Sequence, residues 1–101
     1  MISEYIIDGG EFSSRKGFYN YIEKTFTQGL NFKIGRNLNA FQDVLYGGFG
    51  MHDCEVHIIV KWKNLSKSRE RLDNNFLNAV LEILDTTEQV IFQKFEDGIN
   101  T

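Results

Sequence analysis

The chain has 101 residues, 42% hydrophobic and 25% charged, with 14% aromatic; this fits one folded domain over residues 1–101 and excludes a disordered chain. Its net charge of −3 argues against a nucleic-acid binder driven by phosphate contacts and suits an encounter with a basic partner. A single cysteine, Cys54, permits no internal disulfide, and the longest purely apolar run, Ile58 to Val60, is far too short for a bilayer, so a soluble cytoplasmic monomer is expected.

Ile2 to Ile7 reads as a strand closed by Asp8-Gly9-Gly10. It carries Glu4 and has no basic lead-in, unlike a secretory leader. Ser13 or Ser14 can cap a first helix reaching about Gln28. Phe18, Ile22 and Phe26 then share one face with Tyr19 beside them, and Gly29 stands past the helix end. After a loop over Leu30 to Arg36, a second helix is expected from about Asn37 to Tyr46, stopped by Gly47-Gly48. Residues 49–55 read as another loop.

Val56 to Trp62 reads as a strand whose near-continuous apolar run suits a parallel strand covered on both faces. Asn64 or Ser66 caps a short helical turn. A long helix follows to about Leu84, with Leu72, Phe76, Val80 and Leu84 as a ridge widened by Leu77 and Leu81. Val90 to Phe95 alternates as a last strand, and the tail after Glu96 is expected to fray. The order β-α-α-β-α-α-β predicts right-handed crossovers and a parallel sheet in an α/β domain.

The second helix divides cleanly. With Asn39 at zero degrees, Asp43 lies at about 40°, Tyr46 at about −20° and Gln42 at about −60°. Leu38, Ala40, Phe41, Val44 and Leu45 occupy the other half. By periodicity alone this is any surface helix; such helices usually carry Lys and Glu outside, however, and this one carries Asn, Gln, Tyr and one acid, a mixture suited to an interface. Phe49 follows the glycine pair, where an aromatic has no regular place in a core. Gly35, just before the helix, would let the loop approach a partner closely.

Other chemistries fit less well. His52, Asp53, Cys54 and His57 invite a metal or thiol reading, but there is no second Cys. His52 and His57 could serve as the acid and base of a ribonuclease, yet no Lys or Arg cluster surrounds them; His57 reads instead as a half-buried strand residue. Lys61, Lys63, Lys67, Ser68, Arg69 and Arg71 flank Trp62 as an RNA-stacking surface would, although a solvated helix start with Trp62 in the core is the preferred reading. Glu11, Glu23 and Glu82 have no partner that suggests paired-carboxylate chemistry. No catalytic residue, metal or cofactor is therefore assigned.

The run Ile34-Gly35-Arg36-Asn37-Leu38-Asn39-Ala40-Phe41-Gln42-Asp43-Val44-Leu45 resembles the inhibitory helix of the barstar family. That segment typically reads aromatic-Gly-acidic-Asn-Leu-Asp-Ala-aliphatic-aromatic-Asp, then a small or aliphatic residue and Leu. The glycine, Asn37, Leu38, Ala40, Asp43 and Leu45 match. Tyr46-Gly47-Gly48-Phe49 resembles the Gly-aromatic segment after the helix, and Lys61-Trp62-Lys63-Asn64-Leu65-Ser66-Lys67-Ser68 resembles the family's Trp-bearing strand end. Asn39 and Arg36 stand at acidic positions of the pattern; Lys33, Ile34 and Gln42 stand at aromatic ones.

The resemblance implies a three-stranded parallel sheet, order 1-2-3, packed with helices. It also implies a protein inhibitor that plugs the active site of a secreted basic ribonuclease or nuclease toxin, with the Asp43 carboxylate where a substrate phosphate would lie. Lys33, Asn37, Asn39, Gln42, Asp43, Tyr46, Gly47 and Phe49 are then the expected partner-binding residues, with no nucleic acid or membrane involved. A binding module of the same fold with a non-nuclease partner is the alternative.

Overall fold

A computed structural model describes residues 3–27, 35–45 and 57–97. Within them run β1 (Ser3–Asp8), α1 (Arg15–Thr27), α2 (Leu38–Leu45), β2 (Ile58–Lys63), α3 (Leu65–Arg71), α4 (Asn74–Thr86) and β3 (Val90–Lys94), the order expected from the sequence. The strands form one parallel sheet, β1-β2-β3, in a register that aligns Ile7 with Trp62 and Trp62 with Lys94.

Alternation along the strands sets the two sides of the sheet. Tyr5 and Ile7 of β1 and Ile58, Val60 and Trp62 of β2 are buried under the helices. Their neighbours face the other way: Ile6 and Ile91 are 38% and 41% exposed, and Lys61 pairs with Glu4 at 3.2 Å. The second face of β2 is only half-buried, where cover on both faces was expected. Ile59 is half-buried beside Ile91 in the register, because cross-strand neighbours shelter a central residue even on an open face.

The helices bury the faces their periodicity marks. Phe18, Ile22 and Phe26 of α1 are fully buried, as are Val80 and Leu84 of α4. The Phe18 ring lies 6.0 Å from Trp62 in a stack and edge-on to Phe41 and Phe76. One ring therefore ties α1 to β2, α2 and α4.

Three boundary details differ from expectation. Leu72 is buried but does not belong to the last helix; its extended backbone separates α3 from α4, and Asp73 caps α4 by accepting a bond from the Phe76 N–H. Asn64 and Ser66 do not cap α3 with their side chains. Asn64 takes a left-handed conformation, φ 55°, and its amide donates instead to Asp8 Oδ1. The first N–H groups of α3 go to the chain after β3: Leu65 donates to the Phe95 carbonyl and Ser66 to that of Glu96. Consequently Asp97, in the tail expected to fray after Glu96, is held by the Asn64 N–H at 2.8 Å; residues 98–101 of that tail lie outside the described residues.

Candidate functional site

α2 is short, so its start must be well fixed. Asn37 does this: its Oδ1 accepts the Ala40 N–H at 2.8 Å and its carbonyl accepts that of Phe41 at 3.2 Å, the two bonds of an N-cap. Gly35 serves the same end. A Cβ there would meet Asn37 Nδ2 at 3.1 Å and the Ala40 Cβ at 3.3 Å, so the missing side chain makes room for the cap.

Phe41, Val44 and Leu45 are fully buried, and Leu38 and Ala40 are half-buried. The opposite face presents Asn39 and Asp43, both exposed, with Gln42 half-buried beside them. Asn39 and Asp43 are one turn apart, about 6 Å along the axis. Asp43 has no ion-pair partner among the described residues. A carboxylate held this way by a clamped helix can accept charge-assisted bonds from a partner's arginine or lysine.

Arg36 turns back onto the protein. Its Nη1 donates to Glu23 Oε2 at 2.7 Å and its Nη2 to Asn20 Oδ1 at 2.8 Å, so the cation at this normally acidic position fastens the approach to α2 onto α1. Sequence spacing offered no signal for this contact, which joins residues 13 apart in different elements. A groove of ≈ 450 Å³ opens beside this corner, between Arg15 on α1, Asn37 and Asn39 at the start of α2, and Phe76 on α4.

The structure thus gathers Asn37, Asn39, Gln42 and Asp43 on or at the end of one helix. Lys33, Tyr46, Gly47 and Phe49 lie outside the described residues, as do His52, Asp53 and Cys54. His57 precedes β2, which begins one residue later, and is exposed, not half-buried in the strand.

The basic stretch is largely matched within the chain. Lys61 faces Glu4, Lys63 faces Asp8 at 3.8 Å, and Arg69 faces Glu96 at 3.1 Å, while Arg71 donates to the Gly10 carbonyl. Trp62 is fully buried and donates from Nε1 to Ser68 Oγ, so its ring is a core residue and offers no stacking platform. Among the described residues there is no cluster of three potential metal ligands and no helix long and apolar enough to cross a membrane.

A family model described as Barstar (barnase inhibitor) matches residues 3–97. No curated protein matches the chain.

Proposed function

The chain belongs to the barstar (barnase inhibitor) family, and from that premise we propose that it is a protein inhibitor of a microbial ribonuclease or related nuclease toxin. In this reading α2 and its flanking loops cover the catalytic cleft of a secreted basic nuclease while the enzyme is still in the cytoplasm. The contact set is Lys33, Asn37, Asn39, Gln42, Asp43, Tyr46, Gly47 and Phe49, on a monomer of one domain spanning residues 1–101. The chain itself supplies no catalytic group, metal or cofactor.

The observation that carries the reading is Asp43, exposed on a helix whose other face buries Phe41, Val44 and Leu45. A ribonuclease cleft concentrates cationic groups to stabilise phosphate charge in the transition state. A rigid carboxylate can occupy that field and take the bonds meant for phosphate. The overall charge of −3 favours encounter with a basic enzyme. Asn39 and Gln42 add hydrogen-bonding groups with both donor and acceptor atoms.

Titration of barnase with the purified chain, following RNA cleavage, tests the proposal. Loss of cleavage that saturates at one inhibitor per enzyme is expected. Undiminished cleavage by barnase and by a panel of other small basic microbial ribonucleases, with the chain in tenfold excess at micromolar concentration, would contradict it and favour a non-nuclease partner for the same fold.

A further inference from the structure

Arg15, the first residue of α1, lays its guanidinium carbon 4.8 Å from the centre of the Phe76 ring. The ring is itself fixed: Phe76 is 6% exposed, and its N–H is held by Asp73 at 3.0 Å. The stack therefore orders a long side chain before anything binds, which lowers the entropic cost of using it in recognition. No carboxylate pairs with Arg15 among the described residues. The other cation on this corner, Arg36, is engaged by Glu23.

Arg15 stands on the wall of the ≈ 450 Å³ groove that Asn37 and Asn39 line from α2. Asn39 is one turn from Asp43 on the same exposed face. An ordinary protein interface covers about 800 Å² per partner, so a protein seated on Asp43 also lies over the mouth of this groove. The binding face is then bipolar. Asp43 stands in the second half of α2, and the end next to the groove offers amides and the Arg15 cation, with Asp73, whose Oδ2 is engaged by the Phe76 N–H, also lining the groove.

We infer that the partner seated on Asp43 also presents a carboxylate to Arg15, so that this chain recognises a nuclease with a basic cleft and an acidic rim. This rests on the proposed inhibitor function and adds to it the chemistry of the target's rim. A guanidinium held over a ring can still offer N–H groups for a two-point bond with a carboxylate. A cation or an apolar group in that place would leave Arg15 desolvated and unmatched.

The test is the affinity for barnase of the wild-type chain and of Arg15→Met, Arg15→Glu and Asp43→Ala, each first shown by thermal unfolding to be folded. Arg15→Met keeps a long apolar stem on Phe76 and removes only the charge. Binding weakened roughly tenfold by Arg15→Met, and further by Arg15→Glu, is expected. Equal losses in the two Arg15 variants would assign the effect to packing and overturn the inference. So would unchanged or tighter binding by Arg15→Glu alongside a loss in Asp43→Ala, an outcome that leaves the inhibitor reading standing. Absence of any wild-type binding to barnase and to a panel of other small basic microbial ribonucleases would remove that reading, and the inference with it.

Discussion

Nη1 of Arg36 lies 2.7 Å from Oε2 of Glu23, which ties the residue before the cap of α2 to the middle of α1. With side chains 43% and 22% exposed, this is a surface pair, and such pairs are worth about 0.2–1 kcal/mol. Its value is positional, because it anchors the chain where the candidate binding helix begins. Arg36→Met and Glu23→Gln are each expected to lower stability by less than about 1 kcal/mol. A double-mutant cycle in urea should show the two losses to be shared. Fully additive losses would mean that the contact contributes nothing as a pair.

The junction beneath α3 is less tolerant. Trp62 Nε1 donates to Ser68 Oγ at 3.2 Å, and both residues are fully buried. Ser68→Ala leaves the indole N–H without a partner, and a loss of about 1–3 kcal/mol is expected. Gly9 fills the same junction, where an added Cβ would collide with the Asn64 carbonyl and with Ser68 Oγ. Trp62 is the only tryptophan, so urea unfolding followed by its fluorescence reads this site directly. An unchanged midpoint for Ser68→Ala would contradict the assignment.

Asp8 should make stability fall in acid. Burial on its own pushes its carboxyl up, but bonds from Asn64 and the Gly10 N–H, together with the charges of Lys63 and Lys67, outweigh burial and leave it below the ordinary Asp value. The folded chain therefore holds this proton less tightly than the unfolded chain. The stabilisation is complete above the unfolded value of about 3.9 and is lost as pH falls through the lower folded value. Glu96 shifts in the same direction, chiefly through its bonds from Arg69, but it is exposed and adds little. The stability advantage of the wild type over Asp8→Asn, measured by urea unfolding, should shrink between pH 6 and about pH 2.5. A pH-independent difference would contradict the role given to Asp8.

What the sequence made legible was local. Phe18, Ile22 and Phe26 mark the buried face of α1 because a helix repeats every 3.6 residues, and the same geometry separates Asn39 and Asp43 from Phe41, Val44 and Leu45. The parallel sheet followed from strands separated by helices. Features set by contacts distant in sequence were not legible. The left-handed turn at Asn64 depends on Asp8, 56 residues away, and Arg36 depends on Glu23. Ile59 misled because an apolar run looks alike whether a second layer or only its strand neighbours shelter it. Leu72 fits the α4 ridge by spacing, yet Asp73, accepting the capping bond from the Phe76 N–H, starts a new helix two residues later, at Asn74. Of the proposed binding residues, Lys33, Tyr46, Gly47 and Phe49 lie outside the described residues, and the contact set as a whole is a proposal.

The central claim is that Asp43 is the phosphate mimic, and the affinity of Asp43→Ala for barnase tests it most directly. Removing one member of a desolvated charge pair strands the other and costs about 3–5 kcal/mol. The dissociation constant should therefore rise by at least about a hundredfold, through faster dissociation and with the fold unchanged by circular dichroism. An affinity within about threefold of wild type would show that a nuclease, if bound at all, is held by some other surface.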